Sequence, residues 1–329
     1  MRRSMTRLAF AGLLGCAFTL QAQSQSQSQS QDSVRLRFAW PSGLVAQVES
    51  NKTRMREVDG QPPARSVASY SHVMRAARQG QQYTIAFSDL RLDPKGLAAL
   101  PPPQQALMRV LTQAALPGYL VSADGDFVAL DKPEAFQEAM RSALSPLLPD
   151  GPGKAASLAA LDKLLGVEVL SAAVRGDWDW LVGSWAGGEQ AIDLGEDYVA
   201  QTQGVAPLIN QAIAYETHFK VTRRLPCDRE GRTLECIELK ASTRPDSAAL
   251  KQAVAGIVAQ LAPEAAAGME KTLSTLDLLV ELELVTEPDT LVPHRSRLTK
   301  TTVLPGLQGQ PSNRQVEETV QTFRYEAGR

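Results

Sequence analysis

The chain has 329 residues, of which 43% are hydrophobic and 21% are charged, and its formal net charge at neutral pH is −2. This length suffices for one large domain or for two small ones. The slightly acidic and mixed charge distribution argues against a nucleic-acid partner, because such a partner requires a clustered basic surface.

The first 22 residues have the pattern of an export signal. Arg2, Arg3 and Arg7 supply positive charge at the start, and residues 8–20 form an apolar run too short for a permanent membrane span. Ala22 ends the run with the small residue that a signal peptidase needs. We therefore predict cleavage after Ala22 and a periplasmic or secreted mature protein.

Lipidation is the alternative to cleavage after Ala22. Residues 13–16 resemble the lipobox of bacterial lipoproteins, and a lipidated Cys16 would anchor the protein to a membrane. Residues 23–32 are almost entirely Gln and Ser and contain no apolar residue to bury. We expect them to form a disordered leader, because they cannot compensate the entropy cost of ordering.

The chain from residue 33 to residue 92 has the pattern of antiparallel strands. Apolar and polar residues alternate, which indicates strands with one buried face. Short turns containing Gly and Pro separate the alternating stretches, so we predict a meander. Its expected strands are residues 33–40, 44–57, 66–78 and 82–92.

The middle of the chain has mainly helical patterns. Apolar residues recur at helical spacing in three stretches. An Asp-Gly sequence separates two short apolar runs, which is typical of a hairpin. The expected helices are residues 104–116, 132–147 and 155–174, the hairpin strands are residues 119–122 and 127–130, and the Pro- and Gly-rich residues 148–154 are a candidate boundary.

Strand patterns resume in the last third, interrupted by one helix. The expected strands are residues 197–202, 212–225, 234–243, 276–287, 292–304 and 314–326, and the helix is residues 247–262. The order of strands, helices, strands, helix and strands predicts an α+β fold with antiparallel pairing. We expect residues 33–326 to form one α+β domain, with subdomains 33–148 and 155–326 as the alternative.

Two cysteines remain after the predicted cleavage, Cys227 and Cys236. They flank a turn-forming stretch between two strand-like runs, and an exported protein is in an oxidising compartment. We predict a disulfide that holds one hairpin. Two free thiols are the alternative.

No pattern in the sequence predicts a catalytic or metal site. The three histidines, His72, His218 and His294, are in separate predicted strands and do not form a ligand cluster. Nucleophile motifs and phosphate-binding loops are missing as well. We therefore expect no catalytic activity, no metal and no cofactor.

Residues 177–185 are rich in aromatic and acidic side chains. Trp178, Trp180 and Trp185 offer large rigid surfaces, so they are candidate ligand-binding residues, with anchoring of the core as the alternative. Asp177 and Asp179 would share a face if this stretch were a strand, and paired carboxylates can perform acid–base chemistry. The simpler interpretation is two solvated aspartates.

An export signal followed by about a dozen antiparallel strands and a few amphipathic helices resembles the periplasmic lipoprotein-carrier (LolA/LolB-like) superfamily. The resemblance covers most of the mature chain as a pattern and implies a large, curved, half-barrel-like sheet with helices covering one face. It also implies an apolar or amphiphilic ligand, such as a lipid, between sheet and helices. The alternative is a non-catalytic module of the envelope that contacts another protein through a sheet edge or through residues 178–185.

Overall fold

A computed structural model describes residues 3–5, 33–98, 102–113, 116–148, 151, 153–187, 191–205, 212–261, 273–306 and 311–326. Apart from residues 3–5, the predicted signal, with Cys16 and Ala22, and the leader at residues 23–32 lie outside the described residues.

One large sheet dominates the structure. Eleven strands pair in antiparallel fashion, and the short segment Arg3–Met5 adds to one edge in parallel with the strand Tyr198–Val205. The strands are β1 (Arg3–Met5), β3 (Leu44–Val58), β4 (Ala64–Gln79), β5 (Gln82–Leu92), β6 (Tyr119–Ser122), β7 (Phe127–Leu130), β9 (Tyr198–Val205), β10 (Ala212–Arg229), β11 (Arg232–Pro245), β12 (Asp277–Thr286), β13 (Pro293–Leu304) and β14 (Asn313–Tyr325).

The order of strands across the sheet is β1-β9-β10-β11-β12-β13-β14-β3-β4-β5-β6-β7. Among the described strands, those at the two edges do not pair with each other, so this part of the sheet is open. The prediction of an α+β fold with a large, curved antiparallel sheet is confirmed. The last strand, β14, pairs with the first long strand, β3, from Asn313 opposite Val58 to Tyr325 opposite Ala46. This pairing joins the early and late strands into one continuous sheet.

Helices cover one face of the sheet. They are α1 (Pro94–Ala98), α2 (Pro102–Gln113), α3 (Pro133–Leu144), α4 (Gly153–Leu164), α5 (Val167–Trp178), α6 (Ser184–Ala186) and α7 (Ser247–Leu261). The helix expected over residues 155–174 is two helices, because Gly166 has an extended ψ of 139° and separates α4 from α5. Of the helices described, none is long and apolar enough to cross a bilayer.

The segment at residues 33–40 differs from its prediction. Only its start, β2 (Ser33–Val34), is a strand, and it pairs with β8 (Ile192–Asp193) rather than with β3. Further along, the Arg37 amide donates to the carbonyl of Pro288 at 2.9 Å. The alternation correctly indicated one buried face, since Val34, Leu36, Phe38 and Trp40 are all buried. The pairing prediction was wrong because alternation reports which residues are buried and not which strand lies alongside.

The predicted disulfide is present. Cys227 and Cys236 are bonded across the β10–β11 hairpin, with their Cα atoms 5.7 Å apart. The register places Leu234 opposite Cys227 and Leu225 opposite Cys236, so the bond runs diagonally between the strands. Cys236 is fully buried and Cys227 is partly buried, so the bond ties the two strands of this hairpin together.

Candidate functional site: a cavity between the sheet and α5

The end of α5 is anchored by Trp178. Its indole Nε1 donates a hydrogen bond of 2.8 Å to the carbonyl of Gly125, in the turn between β6 and β7. Edge-on contacts to Phe38, Trp40 and Tyr119, with ring centroids 6.0, 5.3 and 5.6 Å away, surround the indole. A buried indole needs such a hydrogen-bond partner, and the aromatic contacts fix its orientation. The end of α5 is therefore rigidly placed over the sheet.

The turn that accepts this hydrogen bond requires glycine. Gly125 has a φ of +93°, and a Cβ there would be 2.6 Å from the Cβ of Ala186 and 2.8 Å from the Cγ of Phe38. Both the backbone conformation and the close approach exclude a side chain. The Asp-Gly sequence thus forms the predicted hairpin turn and also brings that turn into contact with α6.

A cavity of about 340 Å³ lies between the inner face of the sheet and the end of α5. This volume is within the range of about 300–1,000 Å³ that is typical of small-molecule sites. Most of the wall is apolar and aromatic. The apolar and aromatic side chains that line it are Tyr70, Met74, Phe87, Leu116, Pro117, Tyr119, Val174, Trp178, Trp180, Leu181, Leu282, Leu298 and Phe323.

The middle of the cavity floor is polar but neutral. Ser296 Oγ donates to Gln321 Oε1 at 3.2 Å, and Gln321 Nε2 donates to Ser50 Oγ at 3.4 Å. Ser50 and Ser296 are buried. These groups hydrogen-bond to one another, so burying them in the middle of the floor costs little free energy.

Charged side chains of β3, β13 and β14 lie together at one end of the cavity. Glu317 accepts hydrogen bonds from Arg54 and Gln315 at one oxygen, and its other oxygen is 3.2 Å from Lys52 Nζ. Burial raises the pKa of Glu317, but the bonds from Arg54 and Lys52 outweigh it and lower the pKa. Lys300 is opposite Glu317 in the register, yet within the described residues it has no ion-pair partner. We call Lys52, Lys300, Glu317 and Asp177 the charged end of the cavity.

Asp177 approaches this charged end from α5. Its side chain is reached by water, but the walls of the cavity surround it. Burial raises its pKa, and the nearby charges of Lys300 and Lys52 lower it in part. Asp177 and Lys300 therefore face the same space from opposite sides.

The other end of the cavity contains a buried histidine, His72. It is 4% exposed, stacks on Tyr70 at 6.1 Å and meets Phe87 edge-on at 5.4 Å. Its Nδ1 has no hydrogen-bond partner in the described part of the chain. Burial lowers the pKa of His72 to about 4, so the ring is neutral at physiological pH. Sequence reasoning identified His72 only as a strand residue.

The three candidate tryptophans do not act together. Trp178 and Trp180 line the cavity. Trp185 lies away from it, packs edge-on against Phe219 at 5.7 Å and donates its Nε1 to the carbonyl of Trp180 at 3.1 Å. Trp178, Val182 and Trp185 are all buried, and their i, i+4, i+7 spacing is the helical signal that could have identified this stretch.

The paired-aspartate hypothesis rested on a strand that does not form. Asp177 is in α5, and Asp179 begins a π-helical turn (Asp179–Gly183). Residues two apart on a helix do not share a face, so the two carboxyls point in different directions. Burial raises the pKa of Asp179, the charge of Arg175 lowers it and that of Asp126 raises it.

The histidines are in separate strands, as expected: β4, β10 and β13. The described residues contain one group with metal-ligand spacing, formed by Cys227, Cys236 and His294, whose ligand atoms are within 4.8 Å of one another. Both sulfurs are bonded to each other, so neither is a thiolate ligand in this structure.

No protein-family model matches the chain, and no curated protein matches its sequence. Among solved structures, the chain is similar to a lipovitellin structure concerned with lipid–protein interactions, at 9% identity and a TM-score of 0.44, over 88% of this chain and only 26% of that one. It is also similar to DynF from the dynemicin biosynthesis pathway of Micromonospora chersina, at 6% identity and a TM-score of 0.20, over 94% of each chain. Neither likeness is close enough to carry an argument, and the resemblance to lipoprotein carriers stays a prediction.

Proposed function

We propose that this chain is an exported, periplasmic binding protein that holds an apolar or amphiphilic ligand between its sheet and α5, without catalysing a reaction. The observation that carries the proposal is the cavity of about 340 Å³, which has aromatic walls and a few placed polar groups. A concave, mainly apolar space with a small number of polar groups is the usual form of a small-molecule site.

Two features of the site support ligand binding over simple core packing. Lys300 lines the cavity half-buried and has no ion-pair partner among the described residues, a cost that a polar ligand group would remove. The walls are held in place from outside the cavity, since Trp178 is fixed by Gly125 and by aromatic neighbours. A rigid, preformed site loses little entropy when it binds.

Export is the part of the proposal that rests on the sequence. The predicted signal with cleavage after Ala22 supports a soluble periplasmic or secreted form, and lipidation of Cys16 is the anchored alternative. Mass spectrometry of the protein from its own host distinguishes the two. A chain starting at residue 23 with two hydrogens fewer supports the first, and acyl mass on Cys16 supports the second.

An envelope interaction module is the second candidate function. The side chains of Val167 and Val169, on the outside of α5, are 40% and 52% exposed, and an apolar surface can bind another protein. Crosslinking in the native cell, with a photoreactive residue at position 169, would identify such a partner. A lack of crosslinked products would count against this function.

Ligand binding can be tested with a cavity-filling substitution. The delipidated mature protein is titrated with dibromostearate, which quenches tryptophan fluorescence on contact, and with stearate as the unbrominated reference. We expect saturable quenching, because Trp178 and Trp180 line the cavity. Thr319 also lines it, and Thr319→Phe should weaken binding by about tenfold or more, which is about 1.4 kcal/mol.

Thr299→Phe is the matched control, because Thr299 is next to the cavity residue Leu298 and alternate residues point to opposite faces of a strand. It makes the same chemical change in a neighbouring strand outside the cavity. The proposal fails if neither amphiphile binds, or if the two substitutions weaken binding equally.

A further inference from the structure

We propose that the ligand is an amphiphile with an anionic head group, a carboxylate or a phosphate, bound by Lys300 with its tail along the cavity towards His72. This inference deepens the proposed function and rests on it. It follows from the distribution of charge in the cavity, from the length of the site, and from the unpaired Lys300 at one end and the neutral His72 at the other.

The first step is the separation of polar and apolar groups along the cavity. Phe323 and Glu317 both line it and are six residues apart on β14, a span of about 20 Å at the rise of an antiparallel strand. Phe323 and Phe87 are grouped at one end, and Lys52, Lys300 and Glu317 are at the other. Asp177 approaches from α5 and is near Tyr119: burial raises the pKa of that phenol, and the charge of Asp177 raises it further. An elongated space with one charged end fits an amphiphile better than a uniformly apolar molecule.

The second step is the sign of the charge. The charged end holds two cations, Lys52 and Lys300, and two carboxylates, Glu317 and Asp177, and Arg54 beside it bonds to Glu317. Both oxygens of Glu317 are already occupied, by Arg54 and Gln315 on one side and by Lys52 on the other. Arg54 and Lys52 therefore compensate Glu317, so the charge of Lys300 is left to attract an anion.

The third step identifies the cation that is free to bind. Lys300 is half-buried and is opposite Glu317 in the register, but Glu317 is bonded to Arg54, Gln315 and Lys52 instead of to Lys300. Among the described residues, no carboxylate is within salt-bridge distance of its ammonium. A partly buried ammonium is best satisfied by a charged acceptor, and a ligand head group at this position supplies one.

The fourth step concerns the far end. The imidazole of His72 is neutral and is enclosed by Tyr70 and Phe87. A second charged group would be unfavourable there, whereas an apolar tail fits the aromatic walls. The head group is therefore at Lys300, and the tail lies over the Ser296–Gln321 floor towards Phe323.

The experiment compares head groups on one tail. The delipidated mature protein is titrated with oleate, oleyl phosphate and oleyl alcohol, and inorganic phosphate serves as a head group without a tail. We expect the two anionic amphiphiles to bind at least about tenfold more tightly than the alcohol, because a charge-assisted hydrogen bond is lost with the charge. Inorganic phosphate should bind far more weakly than oleyl phosphate.

Three substitutions test whether this preference depends on Lys300. Lys300→Gln should remove most of the difference between oleate and oleyl alcohol while leaving alcohol binding unchanged. Lys240→Gln is the matched control, since Lys240 lies between the buried residues Leu239 and Ala241 and pairs with Glu283 at 3.0 Å, away from the cavity. Asp177→Asn should strengthen oleate binding, because it removes the carboxylate that faces the same space.

The outcomes separate the two proposals. If all three amphiphiles bind equally and Lys300→Gln has no effect, the head-group inference is wrong and the cavity remains a binding site. If no amphiphile binds, the proposed function and this inference both fail. Tight binding of inorganic phosphate alone would overturn the role of the tail.

Discussion

Two buried histidines on the same sheet have opposite surroundings. His294 Nε2 is 3.1 Å from Glu287 Oε1, and Glu287 also accepts hydrogen bonds from Arg229 at 3.0 Å and Thr290 at 2.8 Å. We call these four residues the closed cluster. His72 has space beside it instead of partners. The closed cluster pairs its carboxylate directly, although the Nε of Arg229 has no partner among the described residues, whereas the cavity leaves both His72 Nδ1 and the Lys300 ammonium unpaired there. The head group proposed above would supply a partner for Lys300.

Electrostatics follow the same division. Burial raises the pKa of Glu287, but the hydrogen bonds from His294 and Thr290 and the charge of Arg229 outweigh it and lower the pKa. Across the cavity, Asp177 has charged neighbours but no hydrogen bond among the described residues, and burial raises its pKa. A carboxylate with direct partners stays ionised, and one without them is held closer to neutrality.

Removing the cation of the closed cluster should give the largest effect. Arg229→Met leaves Glu287 buried without its charge partner, so we expect the free energy of unfolding to fall by about 3–5 kcal/mol. Urea denaturation measures it. The matched control is Arg244→Met, whose ion pair with Asp277 is exposed and should contribute less than about 1 kcal/mol. Equal losses would show that the closed cluster is not a stabilising element.

The pH dependence of stability should reveal the unpaired histidine. The pKa of His72 is about 4 in the folded protein and about 6.5 when unfolded, so the unfolded state takes up a proton first as the pH falls. This contribution to stability is complete above pH 6.5 and is lost between about pH 6.5 and 4, to a total of about 3 kcal/mol. His72→Phe keeps an aromatic ring between Tyr70 and Phe87 and removes the titration.

The measurement is urea denaturation of the wild-type protein and the His72→Phe variant at several pH values. The difference between their free energies of unfolding, relative to that difference at pH 7.5, isolates the contribution of His72, because the carboxylates titrate in both proteins. We expect the variant to gain relative stability as the pH falls. Parallel curves for the two proteins would mean that His72 is accessible and pairs with water.

Removal of the disulfide should have the smallest of these effects and should spare the cavity. Replacing Cys227 and Cys236 with alanine removes a disulfide that links residues only nine positions apart in the chain. We therefore expect the free energy of unfolding to fall by about 2–3 kcal/mol. Stearate affinity, measured on the folded variant, should not change. A loss of binding together with stability would show that this hairpin also shapes the site.

The long strands were predictable because each is half-buried. The boundaries of β6 and β7 agree with their prediction, and those of β3, β13 and β14 differ by one or two residues. Long alternating stretches identify themselves without knowledge of their neighbours. The stretch from Trp178 to Trp185 was not predicted as helical because it is short and a π-helical turn at Asp179–Gly183 interrupts it, although Trp178, Val182 and Trp185 keep a helical spacing.

The site itself was predictable only in part. Trp178 and Trp180 were named as candidates from their size and clustering, and they do line the cavity. Lys300 and His72 were not named as site residues, because nothing local distinguishes a lysine or histidine in a strand from many others. Their roles depend on Glu317 being bonded to Arg54, Gln315 and Lys52, and on α5 covering the cavity.

The sequence by itself determined the α+β class, the positions of the long strands and the disulfide, because periodicity, turn residues and paired cysteines act over short distances. Tertiary structure alone decided that residues 33–40 pair with distant loops, that β14 joins β3, and that the charged residues meet at one end of a cavity. Those outcomes depend on contacts between segments that are far apart in the chain. Each segment shows only that one of its faces is buried, and the complete sheet determines what lies against that face.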